Sequence, residues 1–494
     1  MNVSRLTLAI ALAAGCGTAI SKPNVNSEPY PFGNPVIKHM YTADASPHVM
    51  PDGRVWMVTS VDLDAGGGYS TMHSYHTFSS ANMLEWQDHG KKFNITDVVE
   101  NENPDQLDWA LWAPDMIYRD GKYYLYYPIH IRHRGEPKVN GRLKVTSYIG
   151  VAVTDDLNKP FKVLNEHIEG TPGIDPSIFI DDDDQVYLYW GQKWVARLKD
   201  NMMELAEPRQ QIEIGDDNRF QGKFMEAPWM HKKDGKYYFN YHTKYDGKVS
   251  ETNPDDPTRQ KSELAYSIGN SPMGPLAFGG TLNYELGFGV QADITYPGKP
   301  YVPWRLTQSN HGGVVEFHGK DYLFYHTSAL SSWRQDQFSE RGNWTQRSVS
   351  VDEITYDKSG NVIPVQQTLS GPEPVNVTQP YDIILGDAQF DENGIARFEN
   401  VNMGSGYYYL DTLIANPEEV SGKLEVRLGK PDGYLAGTIT LTQKRVTERN
   451  GLVDTFLREA EATQDVFLVY KPETSTSPLK LNKVRLFAGA PKPL

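Results

Sequence analysis

Pro114-Asp115-Met116-Ile117-Tyr118-Arg119-Asp120-Gly121-Lys122-Tyr123-Tyr124-Leu125-Tyr126-Tyr127 reads as strand, turn, strand. Asp-Gly between β-branched and aromatic runs marks a tight hairpin, because the turn needs residues that tolerate positive φ. The unit recurs. Pro47 to Val58 turns at Asp52-Gly53, Pro176 to Trp190 at Asp182-Asp183-Asp184, Ala227 to Tyr241 at Asp234-Gly235, and Gly313 to His326 at His318-Gly319. Counted from Asp52, Asp120, Asp183, Asp234 and His318, the intervals are 68, 63, 51 and 84 residues. Further strand-like segments follow, such as Gly150 to Leu157 and Leu264 to Ser267, and would complete sheets of three or four strands. Five such sheets set radially make a five-bladed β-propeller, placed here at residues 36–366.

The rest of the composition agrees with an all-β chain. In 494 residues there are 29 Tyr, 10 Trp, 42 Gly and 32 Pro, which favours turns and aromatic strands over long helices. Lys and Arg number 48 against 63 Asp and Glu, a formal charge of −15 that repels a polyphosphate backbone, so the expected ligand is neutral or cationic and not nucleic acid.

At the amino terminus Arg5 precedes the apolar run Leu6 to Ala14, too short to span a bilayer but suited to a secretory signal over residues 1–15. The protein is expected to be exported, whether periplasmic, outer-membrane-anchored or secreted. The only cysteine, Cys16, follows Leu12-Ala13-Ala14-Gly15, which resembles a bacterial lipoprotein box with its Leu one residue early. A lipid anchor at Cys16 and ordinary cleavage near Ala19 both stay open. Residues 16–35 read as a tether or linker.

Superposing the hairpins on their turns converts spacing into geometry. Eight residues before each turn residue stand Asp44, Trp112, Asp175, Glu226 and Asn310, the last followed by His311. Equivalent positions of a propeller surround one axis, so two aspartates and one glutamate should converge. Crowded carboxylates cannot all stay ionised, since like charge and burial raise at least one pKa. One protonated and one ionised group is what glycosidic cleavage needs, with the pair about 6.5–9.5 Å apart for inversion or about 5–5.5 Å for retention. Trp112 and the many tyrosines would offer faces for sugar stacking. Asp115, three residues out of register, is read as a bracing residue and a candidate for the substrate pocket. The Asp181-Asp182-Asp183-Asp184 run is read as a solvated turn.

These residues resemble glycoside hydrolase family 43, five-bladed propeller enzymes that invert configuration while removing arabinose or xylose from plant-type polysaccharides. The carriers are Ala43-Asp44-Ala45-Ser46-Pro47, Trp112-Ala113-Pro114-Asp115, Gly173-Ile174-Asp175-Pro176-Ser177, Met225-Glu226-Ala227-Pro228 and Asn310-His311-Gly312-Gly313 with Tyr325-His326. The resemblance implies that Asp44 is the general base, Glu226 the general acid, and Asp175 the aspartate that tunes and orients the acid. It implies further that His311 helps hold a structural calcium ion near the propeller axis through water, and that Arg347, in Gln346-Arg347-Ser348-Val349, reaches the bound sugar. The chemistry itself requires no cofactor. Ala45 departs from the family's frequent proline, which concerns strand entry more than catalysis.

Residues 367–380 read as a connector. Gly422 to Leu428, Asp465 to Tyr470 and Lys480 to Phe487 then pattern as strands of a β-sandwich over 381–494, which with Ala396 to Val401 resembles a jelly-roll carbohydrate-binding module of family 6. No Trp follows Trp344, and Tyr407, Tyr408 and Tyr409 are read first as core or interface residues.

The functional expectation is an inverting exo-glycosidase acting on a glycan, with terminal α-L-arabinofuranose as the leading sugar. A β-D-xylosidase and a non-catalytic sugar-binding propeller are the alternatives.

Overall fold

A computed structural model of the protein describes residues 29–63, 72–98, 107–133, 136–216, 224–244, 262–284, 294–295, 300–301, 309–334, 346–376, 382–417, 420–473 and 478–487. The expected signal at 1–15 and Cys16 lie outside the described residues. The chain is all-β, with the short α-helices Ala329–Arg334 and Gln443–Glu448 among its strands.

Each repeated hairpin opens one antiparallel sheet. The leading pairs are Tyr41–Val49 with Val55–Asp62, Asp115–Arg119 with Lys122–His133, Ser177–Ile180 with Val186–Trp190, Phe224–Lys233 with Lys236–Lys244, and Gly313–Phe317 with Lys320–Thr327. Four of these sheets have four strands in chain order and the second has five. At Asp120-Gly121, Asp234-Gly235 and His318-Gly319 both turn residues have positive φ, the geometry that matches the twist of the flanking strands.

The first strand of each hairpin touches its counterpart in the next sheet, and that of the fifth sheet touches the first. The apolar cores follow the same circular order. One cluster joins Trp56 and Val58 of the first sheet to Leu125 and Tyr127 of the second; the next joins Tyr126 to Leu188; then Tyr189 to Phe239, and Tyr266 to Tyr325. The last joins Phe317 and Phe324 back to Val55 and Met57. Every sheet therefore buries both faces, and the leading strands are left to surround the axis.

From Asp382 onward two further four-stranded antiparallel sheets share a second core that includes Leu410, Leu424, Val426, Leu468 and Leu486. This unit packs on the end of the five-sheet ring that carries the hairpin turns. Tyr407, Tyr408 and Tyr409 are buried; Tyr408 stacks on Phe317 at 6.1 Å and the Tyr409 hydroxyl donates to the Val49 carbonyl at 3.1 Å. They act as core and junction.

The Asp181 to Asp184 turn is open to solvent at Asp183 and closed off at its neighbours. Asp182 pairs with Arg458 at 2.8 Å, Asp184 pairs with Arg445 and with Arg119, and Asp181 accepts from Lys232 at 2.8 Å. The reason is long-range: arginines of the second unit arrive at this turn and neutralise it, and nothing local in the acidic run announces them. Between the two units lies a cavity of about 130 Å³, lined in part by Glu316, Asp321, His231 and Arg458.

Candidate active site

At the other end of the ring Asp44, Trp112, Asp175, Glu226, His311 and Arg347 line one pocket of about 150 Å³, with Met72, Ala113, Ile174 and Ser309 completing it. All five sheets contribute, and the three carboxylates meet as their common offset predicts. Backbone irregularity aims them. Asp44 sits in a bulge between Ala43 and Ser46 with φ +54°, Asp175 has φ +56°, and the bulged register at Glu226 is accompanied by φ +62° at Ala227. Positive φ is uncommon outside glycine, and a bulge re-aims the side chain that a regular strand would send elsewhere.

Asp44 is held on every side. Ser60 Oγ donates to its Oδ2 at 2.7 Å, Arg347 Nη1 to its Oδ1 at 2.9 Å, and His311 Nδ1 lies 3.0 Å from the same oxygen. Burial alone would push its carboxyl up, but Arg347 and then His311 outweigh burial and hold it below the usual carboxylate range. Asp44 is thus ionised, as a base must be. His311 reaches Asp175 through Nε2 at 3.7 Å, and although burial disfavours its charge, Asp44 and Asp175 raise it well above its ordinary value. An imidazolium therefore bridges Asp44 and Asp175.

Asp175 accepts from the Ala227 N–H at 3.3 Å and is raised, by burial first and then by Glu226 and Asp44, against the pull of His311. Glu226 runs the other way from an expected free-standing acid. Burial raises it, yet His242, with Nδ1 3.6 Å from Oε1, and His311 hold it down. The two neighbours are thus pushed in opposite directions, Asp175 up and Glu226 down. The Glu226 side chain is 18% exposed against 5% for Asp175, so Glu226 is the member that faces an entering ligand.

Other expected residues land differently. Trp112 lines the pocket with its ring stacked on His130 at 4.1 Å. Arg347 lines it too, with its Nε and Nη2 on the two oxygens of Asp62 at 3.1 and 3.0 Å and its Nη1 on Asp44, so it braces the base from within the pocket wall. Asp115 takes the bracing role of its two expected ones and is not among the pocket-lining residues. It is fully buried away from the pocket, accepting from Ser46, His48, and the N–H groups of Met116 and Ile178, and so it ties the first three sheets together.

Around His311 the described residues offer few oxygens of their own for the expected calcium, which would depend on water for the rest. Asp44, His311 and His326 cluster with donor atoms within 4.8 Å, but calcium takes six to eight oxygen ligands, whereas this set offers one carboxylate already engaged by a guanidinium and an imidazole.

Sequence reasoning missed Ser60, Asp62 and His242 as site residues. Ser60 and His242 stand eight residues after Asp52 and Asp234, the mirror image of the offset that found Asp44 and Glu226. His242 is paired directly with Glu226 across the hairpin. Asp62 has no such signal.

Comparison with known proteins bears on this pocket. Residues 32–277 match the family model for glycosyl hydrolases family 43. Xylosidase/arabinosidase 43A of Humicola insolens is 30% identical over 383 residues, covering 67% of this chain and 98% of that protein. The arabinoxylan arabinofuranohydrolase of Bacillus subtilis (strain 168) is 25% identical over 515 residues, covering 92% of this chain and 91% of its own. A crystal structure of a family 43 arabinoxylan arabinofuranohydrolase from Bacillus subtilis in complex with cellotetraose superposes with a TM-score of 0.51 at 21% identity. It covers 92% of this chain and 97% of that one, so the likeness in fold extends through both β units. On its identity to the Humicola insolens protein over nearly that protein's whole length, this chain belongs to glycosyl hydrolases family 43 and is a glycoside hydrolase.

Proposed function

We propose that this protein is an inverting exo-acting enzyme that removes terminal α-L-arabinofuranose from a plant-type polysaccharide or oligosaccharide, on a five-bladed β-propeller over 36–366 braced by a β-sandwich over 381–494. The observation that carries the reading is the convergence of Asp44, Asp175 and Glu226 from three sheets on one small pocket. Asp44, ionised and fixed by Arg347 and Ser60, takes the proton of the attacking water. Glu226, the more exposed of the two neighbouring carboxyls, gives a proton to the leaving oxygen, and Asp175 with His311 tunes and orients it. Trp112 supplies a ring face for the sugar. No step needs a cofactor.

Arabinofuranose is favoured over xylose because relatives aligning over both β units, such as the Bacillus subtilis protein, are named arabinofuranohydrolases. The Humicola insolens name carries both activities and keeps β-D-xylosidase as the second reading. Export rests on the apolar run before Cys16.

Turnover of aryl α-L-arabinofuranoside and aryl β-D-xyloside, with proton NMR of the first-formed anomer, tests the proposal. Faster release from the arabinofuranoside with inverted configuration is expected. A retained anomer would remove Asp44 as a base and make it a nucleophile, and a preference for the xyloside would install the second reading.

A further inference from the structure

We propose that a groove between the outer strands of the second and third sheets carries the polysaccharide chain beyond the sugar held in the pocket, with Trp194 as its stacking platform. This inference rests on the glycosidase reading above and extends it from a terminal sugar to a polymer.

The groove is lined by Asn165, His167, Glu169, Trp194, Glu204 and Arg209 among others. Its volume is about 760 Å³ against about 150 Å³ for the catalytic pocket, so it has room for several sugar rings where the pocket takes one.

A short stretch of backbone links its wall to that of the pocket. Ile174 and Asp175 line the pocket, and the Gly191 N–H donates to the Ile174 carbonyl at 2.7 Å. A side chain on Gly191 would start 3.6 Å from Trp194 Cδ1 and 3.7 Å from the Gly173 Cα, so two glycines form a bare shelf between the catalytic carboxylates and the indole. Trp194 opens the third strand of its sheet, Trp194–Arg197, two strands outward from Ser177–Ile180. At about 4.8 Å per strand spacing that is a reach of about 10 Å, or about two linked sugar rings.

The lining has the chemistry of a neutral, hydroxyl-bearing chain. Arg209 lies over the Trp194 ring at 4.7 Å and donates to the Gly170 carbonyl at 2.9 Å, so guanidinium and indole line the groove as one stacked pair. The His167 ring lies 4.5 Å from that of Tyr148 and adds a second flat surface. Charges in and beside the groove answer one another, Lys199 with Glu204 at 2.6 Å and Arg197 with Glu207 at 2.9 Å, so no net field selects an ionic ligand. Ring faces for C–H surfaces with carboxylates and an amide for hydroxyls suit sugar units.

The test compares wild type, Trp194→Ala and Trp194→Phe on a neutral arabinose-decorated xylan and on a small aryl pentoside. Trp194→Ala should lose about tenfold in kcat/KM on the polymer through KM, with the aryl substrate unchanged, and Trp194→Phe should recover most of the loss. Equal changes on both substrates, or none on the polymer, would overturn the proposal. Retardation of each variant in a gel containing the same polymer reads the groove without turnover. If wild type cleaves no pentoside yet is retarded, and Trp194→Ala is not, the catalytic reading fails while the groove stands. If wild type cleaves pentosides but all three migrate alike, the groove fails alone.

Discussion

Replacing Asp62 by Asn tests whether Arg347 works as a brace. Asp62 is 2% exposed, and its carboxylate accepts from Arg347 Nε at 3.1 Å, from Nη2 at 3.0 Å and from the Arg347 backbone N–H at 2.9 Å. The amide fills the same space, so packing is kept. What disappears is the charge and one acceptor, and an N–H donor is turned towards other donors. Removing one partner of a buried ion pair costs about 3–5 kcal/mol. Arg347 retains Asp44 as a second carboxylate, which places the expected loss near the lower end, about 3 kcal/mol. For a domain of this size that is a fall in Tm of roughly 5–10 °C.

The same change should act on turnover. With Asp62 neutral, the guanidinium turns its charge on Asp44 alone, depressing a base that is already below its ordinary range, so kcat falls on natural and activated substrates alike. Thermal unfolding followed by intrinsic fluorescence, with kcat on an aryl pentoside, measures both. A variant that melts within about 1 °C of wild type with undiminished kcat would refute the brace and return Arg347 to the sugar.

Glu226→Gln should abolish turnover of natural linkages and spare substrates with an activated leaving group, whereas Asp44→Asn should lose roughly 10²–10⁴-fold on both, since water activation is needed whatever departs; steady-state kinetics on paired substrates separates them. Burial first, and then Asp321, push the Glu316 carboxyl up to about 7 from an ordinary 4.5. The unfolded chain therefore releases this proton before the folded one does, and stability drains as pH rises from 4.5 to about 7. Glu316→Gln should gain stability over wild type at pH about 8 but not at about 4, by denaturant midpoint; parallel curves would contradict the shift. Dialysis against a chelator should leave kcat/KM within about twofold, because the Asp44 and His311 cluster lacks the oxygens calcium wants; a loss restored by calcium alone would overturn that.

Much of the architecture and the centre of the site is legible from local chemistry repeated five times. A hairpin turn states its own geometry, and a fixed offset from it places Asp44, Asp175 and Glu226 at one end of the ring. The same logic run forward would have reached Ser60 and His242. Asp62 was beyond it, because Val55 to Val61 reads as an ordinary buried strand and the aspartate that ends it gains meaning from Arg347, 285 residues away. Asp115 carried a motif-like setting, yet its partners Ser46, His48 and Ile178 lie on other sheets, and only their arrival turns a pocket candidate into a tie. The acidic run at Asp181 to Asp184 failed for the same cause, two of its counter-ions, Arg445 and Arg458, belonging to a region more than 250 residues later.

That acidic turn has a bearing on how such a protein can be taken apart. Cutting the chain after the ring would take Arg458 from Asp182 and Arg445 from Asp184, leaving them Lys232 and Arg119, and would bare the Phe317 surface that Tyr408 covers. The catalytic half is therefore not a portable cassette. A chimera that exchanges the trailing half for an unrelated lectin would inherit an acidic turn short of Arg445 and Arg458, and would need replacement cations at that spot.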